Sequence, residues 1–376
     1  MSSAVRVLAL VTDGFGGFGG IARYNQAFLR ALEGIDGIKE VLVLPRFGKV
    51  SGEELPRRLH QLGPARGKAA YLARVLRIAT RRPRFDLLFC GHINMAPLGA
   101  ALASVLGRPW WLQIHGVDAW NPPNRLIRKA VSQADLVTAV SRHTRQRFLA
   151  WADLEPHRVR VLPDTVEPCF TPGPKPACLL RRYGIEGKRV LLTVGRLSAA
   201  ERYKGHDRMI TVFAGLRARF PDLGYIIAGD GDDRPRLEAL AREHDVADNV
   251  HFVGRIPEDE LVDHYRMADL FVMPSTGEGF GIVFLEAMAC GVPALGCNVD
   301  GSVDPLSGSP LGRAVSSDQV ANSIAQMLEK PPRNDQPCAL VDRFGRAAFA
   351  AQLSGLIASF APTGKEVGFT LGTVHE

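Results

Sequence analysis

Short continuous apolar runs separated by amphipathic helical stretches recur along this chain, and no other feature limits its fold as strongly. "VRVLALV" (5–11) reads as a buried strand, and "GIARYNQAFLRALEG" (20–34) as an amphipathic helix closed by Gly34. "KEVLVLP" is a second strand. "FDLLFCG", "WWLQIHG" and "ADLVTAVS" are later ones, each followed by a helical stretch. Strands that are apolar throughout, rather than alternating, have both faces covered. That predicts an α/β protein with parallel sheets. The pattern stops at the proline-rich, aperiodic "DTVEPCFTPGPKP" (164–176), then restarts with "RVLLTVG", "LGYIIAG", "NVHFVG" and "ADLFVMPS". The chain of 376 residues, 46% hydrophobic, is too long for one ordinary core. The expectation is two doubly wound Rossmann-like domains, 1–166 and 167–376, joined by a linker near 164–176 and facing a cleft. The last helix, about 344–360, is expected to pack back toward the first domain. Ligands of such sheets bind beyond the carboxyl ends of the strands, so loops of both domains should line the cleft.

Charge divides the chain unevenly. Residues 1–166 carry 24 Lys and Arg against 12 Asp and Glu, and residues 167–376 carry 22 against 27. The halves therefore meet different partners or face different surfaces. The basic residues form no recognised nucleic-acid motif, so no nucleic acid is expected. The six cysteines (Cys90, Cys169, Cys178, Cys290, Cys297, Cys338) form no C-x-x-C pair, which fits a reduced cytoplasmic protein without a zinc site. The N-terminus does not read as a signal peptide, and no apolar run of about 18 residues is present.

"TDGFGGFGG" (12–20) contains G-x-G-x-x-G at Gly14, Gly16 and Gly19. A nicotinamide fingerprint needs a helix that starts inside the motif and an acid after the second strand. Five glycines in seven residues penalise helix by ~1 kcal/mol each relative to alanine. The second strand ends in Pro45 and Arg46, without the acid. The loop is better suited to close backbone approach of a phosphate or sugar at a helix start near Gly20 or Ile21, or is a mere flexible turn.

Three stretches carry chemistry. In "TVGRLSAAERYKGHDRMI", Arg196 follows a strand and Lys204 precedes the helix near Gly205–His206. Two cations on strand-end loops suit a diphosphate; alone, each is commonly a solvated surface charge. In "GEGFGIVFLEAMACGVPAL", Glu278 and Glu286 stand eight apart around a helix expected to start near Gly281. Its free amides favour an anion, and the carboxylates suit sugar hydroxyls. In "QIHGVDAW", His115 sits on a loop after a strand. A lone histidine is usually structural, but this position raises a functional role. "GDGDD" (229–233) contains D-x-D and reads as a turn and helix cap rather than a metal site.

"VGRL…ERYKGHD", "IAGDGDDRPRLE", "VHFVGRIP", "ADLFVMPS" and "GEGFGIVFLEAMACGVPAL" together resemble the second domain of the family 4 glycosyltransferases, retaining enzymes of the GT-B fold. "GGIARYNQAFLRAL" and "HGVDAW" resemble their first domain. The resemblance is weakest over 48–90 and after 330. It implies a nucleotide-diphosphate sugar (UDP- or GDP-sugar) on the second domain and a saccharide or lipid-linked acceptor on the first. It implies no further cofactor and no metal. It matches Arg196 and Lys204 to the diphosphate-binding pair, Glu286 to the ribose carboxylate, Glu278 to the donor-sugar contact and His115 to the histidine near the anomeric centre. Gly17 falls in the loop that approaches the donor phosphates, and Gly279, Phe280, Gly281 and Ile282 lie at the helix start. Arg255 and Ile256 fall where base contacts usually lie. Gly301–Ser302 departs from the more usual pair there. A silent nucleotide-sugar-binding protein and a GT-B phosphorylase or epimerase are the competing readings.

One stretch remains outside that pattern. "RRLHQLGPARGKAAYLARVLRIATRRPR" (57–84) has nine basic residues and no acid. Tyr71, Leu72, Val75, Leu76 and Ile78 interleave at roughly helical spacing, which suggests one apolar and one cationic face on an anionic membrane surface. A basic helix packed on its own domain, or a groove for an anionic acceptor, would carry the same pattern. The expected location is cytoplasmic, peripheral on the inner face of the membrane.

Overall fold

The computed structural model describes residues 5–49, 52, 54–65, 67–81, 85–332 and 339–360. Two parallel sheets organise them. The first holds β1 (Val5–Val11), β2 (Ile38–Pro45), β3 (Leu59–Gln61), β4 (Leu87–Cys90), β5 (Trp110–Ile114), β6 (Leu136–Ala139) and β7 (Val159–Val161), in the order β3-β2-β1-β4-β5-β6-β7. The second holds β8 (Arg189–Val194), β9 (Leu223–Ala228), β10 (Val250–Gly254), β11 (Leu270–Met273), β12 (Ala294–Cys297) and β13 (Gly312–Val315), in the order β10-β9-β8-β11-β12-β13. In each sheet the strand order reverses once, beside β1 and β8. Such a reversal leaves a crevice between the loops that follow the two central strands.

The apolar runs are buried because helices cover both faces of each sheet. In β1, Val7 and Ala9 face a layer with Tyr24 and Phe28 of helix Gly20–Glu33, while Leu8 and Leu10 face Tyr71 and Val75 of helix Lys68–Arg81. The first layer continues through Leu162, Val166 and Phe170 into the second domain. The closing helix, Arg346–Ala358, lies on the first domain, with Phe349 edge-on to Tyr24 at 6.1 Å. Thr165 Oγ1 donates to the Phe344 carbonyl at 2.8 Å, and the Val166 amide donates to the same oxygen at 2.9 Å.

β3, β7, β12 and β13 carry no apolar run long enough to be read from sequence, and pairing with a neighbouring strand is what makes them strands. One of them corrects the reading of 57–84 as a single amphipathic stretch. Leu59 pairs with Val41 as part of edge strand β3, and the helix spans only Lys68–Arg81. The proposed apolar face also divides. Tyr71 and Val75 are buried, and the Tyr71 hydroxyl donates to the Leu44 carbonyl at 2.9 Å. Leu72 and Leu76 point outward, 48% and 55% exposed. Arg74 donates to the Gly63 carbonyl. Arg66, Arg82, Arg84 and Cys338 lie outside the described residues. Among those described, no helix is long and apolar enough to cross a membrane.

Candidate active site between the two sheets

The glycine loop after β1 is pinned rather than loose. Gln61 of β3 accepts from the Phe15 amide at 2.9 Å and donates to the Phe15 carbonyl at 2.8 Å. Gln26 donates to the Gly14 carbonyl at 3.0 Å. A side chain at Gly17 would put Cβ 2.7 Å from Asp13 Cβ, which explains why glycine is needed there. The helix begins at Gly20, after the loop, so the third glycine of the motif does not pack helix on strand as a nicotinamide site requires.

On the second domain, β8 ends at Val194 and is followed by Arg196 and a 3-10 segment, Ala199–Lys204. Gly205 turns the chain at φ 76°, where a Cβ would meet the Pro274 carbonyl oxygen at 2.7 Å. Helix His206–Arg217 then starts. The turn delivers Lys204 inward. Its Nζ donates to Glu278 Oε1 at 2.5 Å, and both side chains are nearly buried. Burial lowers the lysine pKa, but Glu278, with Tyr203 and Glu201, turns the net direction upward, so Lys204 is a cation at neutral pH. Arg196 stays outside, 74% exposed and paired with Glu201, while His206 Nε2 lies 3.2 Å from the Arg196 carbonyl.

Glu278 precedes helix Ile282–Ala289, whose cap, Gly281, has φ 84°. The Glu278 amide donates to Asp300 Oδ2 at 2.7 Å, and its carbonyl accepts from the Gly301 amide at 2.9 Å. Phe280 is buried against Phe344, so only its main chain is free to meet a ligand. Glu286, one turn into the helix, is 1% exposed. Tyr265 Oη donates to its Oε2 at 2.6 Å, and Arg23 Nη1 of the first domain donates to its Oε1 at 2.7 Å. Burial raises the Glu286 pKa, against the pull of Arg23 and Tyr265.

The two domains meet through glycines. A Cβ on Gly279 would stand 1.8 Å from the His115 carbonyl oxygen, and one on Gly116 would stand 2.7 Å from Gly279 Cα. Ser141 Oγ donates to the Gly279 carbonyl at 2.6 Å. Nearby, the Arg142 amide and Nε donate to the two Asp304 oxygens at 2.8 and 2.9 Å. His115 faces this junction. Its Nε2 donates to the Gly91 carbonyl at 2.9 Å, and the ring meets Tyr24 edge-on at 5.1 Å. Burial lowers its pKa to about 4, so the ring is neutral near pH 7 and Nδ1 carries a lone pair. Arg255 and Ile256 follow β10, and the Arg255 guanidinium stacks on the Phe18 ring of the glycine loop at 4.1 Å.

Glu278, Lys204, Glu286, His115 and Gly279 are thus gathered at the carboxyl ends of both sheets, with Gly17 and Arg255 at the same junction. Arg23, Phe18, Tyr265 and Asp300 were missed from sequence, as was Asp164. The Asp164 carboxyl is pushed up to about 8, chiefly by burial and then by Glu286 and Glu278, and its Oδ1 has no hydrogen-bond partner among the described residues. Only its place in the "PDT" linker hinted at it. In "GDGDD" the carboxylates are used locally. Asp232 Oδ1 accepts from the Ala199 amide at 2.9 Å, and Asp233 pairs with Arg236 and Arg202 instead of capping the next helix.

Two Rossmann-like parallel sheets meeting loop to loop define the GT-B fold. The chain belongs to the family 4 glycosyltransferases: residues 180–340 match "Glycosyl transferases group 1", and residues 18–168 match "Glycosyltransferase Family 4". It is 33% identical over 218 residues to a GDP-mannose-dependent alpha-(1-6)-phosphatidylinositol monomannoside mannosyltransferase of Mycolicibacterium smegmatis, covering 55% of this chain and 56% of the relative. It is 35% identical over 260 residues to a D-inositol 3-phosphate glycosyltransferase of Thermobispora bispora, covering 63% and 59%. The chain therefore spans little more than half the length of these curated relatives. Among solved structures, Anabaena Alr3699/HepE in complex with UDP-glucose superposes with a TM-score of 0.77 at 19% identity, over 94% of this chain and 99% of that one. WaaG, a glycosyltransferase of lipopolysaccharide biosynthesis, gives 0.65 at 20% identity, over 95% and 100%. At such identity these share the fold.

Proposed function

We propose that this chain is a retaining, metal-independent glycosyltransferase. It moves a hexosyl group from a UDP- or GDP-sugar held by the second domain to a hydroxyl of a saccharide or lipid-linked acceptor held by the first. The carrying observation is the nearly buried Lys204–Glu278 pair at 2.5 Å beside the Gly279–His115 junction. A cation there opposes the charge that develops on a departing diphosphate, in a site where water is scarce and the interaction is strong. In the transfer, the bond between the anomeric carbon and the diphosphate oxygen breaks and its electron pair leaves with the diphosphate. The acceptor oxygen bonds to the same face of that carbon, and its proton passes to the leaving phosphate. Glu286 suits the ribose hydroxyls. Arg196 is exposed enough to swing onto a phosphate. The pairing of Lys204 with Glu278 and of Arg23 with Glu286 supports a site built for a charged, hydroxylated ligand over a silent binding protein.

The relative named for a phosphatidylinositol monomannoside favours a glycolipid acceptor, reached at a membrane surface. Helix Lys68–Arg81 supports this, with Leu72 and Leu76 exposed beside Lys68 and Arg77. The test is nucleoside diphosphate release from GDP-mannose and UDP-glucose, each with and without EDTA, with product configuration read by NMR. Release that persists in EDTA and gives a retained anomer supports the reading. No release from any nucleotide-sugar, or an inverted product, overturns it.

A further inference from the structure

Two of the groups assigned to the nucleoside end of the donor already have partners, and both partners come from the first domain. Glu286 Oε2 accepts from Tyr265 Oη, a fully buried side chain of its own domain. Oε1 accepts from Arg23 Nη1 at 2.7 Å, and the carboxylate is left 1% exposed. A ribose that is to donate its hydroxyls to this carboxylate meets the Arg23 guanidinium in its place. The second group is Arg255. Its guanidinium carbon lies 4.1 Å from the centre of the Phe18 ring, so one stacking face is covered by the glycine loop.

Both covering groups have a way out. Phe18 is 58% exposed, at the tip of a loop whose base is fastened by Gln61 to Phe15. Apart from the chain around them, nothing lies within 4 Å of where a Cβ on Gly19 or Gly20 would stand, so the tip has room to swing. Arg23 is one-third exposed, and its side chain can rotate into solvent while Tyr24 and Phe28 hold its helix in the core. Burial pulls the Arg23 pKa down, but Glu286, Tyr265 and Glu258 raise it overall. Glu258 is exposed, three residues past Arg255, and offers the cation a second partner when it leaves Glu286. The contacts of Ser141 with Gly279 and of Arg142 with Asp304 use other residues, so the domains stay joined there when the two side chains withdraw.

We propose that Phe18 and Arg23 form a cap over the nucleoside end of the donor site, and that a nucleoside diphosphate binds by displacing both. This rests on the donor reading above, which puts the ribose at Glu286 and the base near Arg255. On binding, Glu286 exchanges a guanidinium for ribose hydroxyls, and Arg255 exchanges the Phe18 ring for the base. Until then Arg23 compensates a carboxylate that would otherwise be buried without a countercharge. Cap and ligand therefore compete, and the apparent affinity is reduced to the fraction of molecules with the cap open. The sign of the effect is diagnostic. Removing a competing side chain tightens nucleotide binding, whereas removing one that itself holds the nucleotide weakens it. Lys204 and Arg196 pair with Glu278 and Glu201 of their own domain, so the cap leaves the diphosphate end alone.

Calorimetric titration of GDP, UDP and inorganic pyrophosphate into the wild type, Phe18→Ala, Arg23→Met and the double variant tests the cap. The nucleotide that binds the wild type should bind each single variant roughly threefold more tightly or better, as expected for a cap closed most of the time, and the double variant more tightly still. Binding seen only in the variants is the same result at its limit. Pyrophosphate, which has no nucleoside, should gain nothing. Melting temperatures check folding, and the exposed Phe18 lets Phe18→Ala carry the measurement alone if Arg23→Met does not fold. Unchanged or weaker nucleotide binding by the folded variants overturns the inference and leaves the donor reading standing. Equal tightening of pyrophosphate also overturns it, since the whole cleft rather than its nucleoside end would then have been released. No binding of GDP or UDP by any of the four proteins removes the donor reading itself, and the cap with it.

Discussion

Arg23 and Glu286 are joined at 2.7 Å across the cleft, one on the helix after the glycine loop and the other on the helix after Gly281. The carboxylate proposed to hold the ribose hydroxyls is thus held by a cation of the opposite domain. Removing one partner of a buried pair leaves the other charge uncompensated, at about 3–5 kcal/mol when both are buried. Arg23 is 33% exposed, so the cost here should be lower, on the order of 1–3 kcal/mol. Arg23→Met should lower the urea midpoint, and Arg23→Met with Glu286→Gln should cost less than the sum of the two. A double-mutant cycle with no coupling energy would show that the contact is incidental.

Lys204→Met should reduce kcat/KM for nucleotide-sugar cleavage roughly 100-fold or more, the range for a lost transition-state donor. Arg196→Ala should cost less, since that guanidinium is exposed and already paired with Glu201. Steady-state kinetics on the two variants tests the order. Equal losses, or none for Lys204→Met, would remove the buried lysine from the centre of the mechanism.

Asp164 predicts a pH dependence of stability. Its folded pKa is about 8, against an ordinary value of 3.8. Between those values the folded state holds a proton that the unfolded state has released, so stability declines as pH rises through the window. Asp164→Asn keeps the shape and removes the ionisation. The melting temperature of the variant minus that of the wild type should be near zero at pH 4 and increasingly positive toward pH 8. A difference that is flat with pH would mean the carboxyl ionises normally.

Cosedimentation tests the outer face of helix Lys68–Arg81. Leu72→Ser with Leu76→Ser, or Lys68→Glu with Arg77→Glu, should abolish binding to anionic vesicles. Wild-type binding should weaken with salt, because the attraction is screened over roughly 8 Å at physiological ionic strength. Tyr71, Val75 and Arg74 are poor choices for this test, since the first two are core and the third holds the Gly63 carbonyl. Equal binding of wild type to neutral and anionic vesicles at low salt would refute membrane docking.

Local features of the chain were legible because their causes are local. Period and burial pattern mark β1, β8 and β11 as covered strands. Glycine density moves the first helix start to Gly20, and Gly281 marks another as the last of three closely spaced glycines before an apolar run. The eight-residue spacing of Glu278 and Glu286 places both at one helix start. Partners were not legible. Lys204 takes Glu278, 74 positions away, and Arg23 takes Glu286, 263 positions away, so two similar carboxylates receive different neighbours. The sequence of 57–84 shows its apolar spacing, but docking on β1 and β2 decided that Tyr71 and Val75 are core while Leu72 and Leu76 face out. Periodicity reports which residues share a face of one element. Which element that face meets, and whether an oxygen of Asp164 or Asn25 ends up buried without a hydrogen-bond partner among the described residues, depends on how two sheets and a returning C-terminal helix close on one another. Those contacts exist only once distant segments have packed.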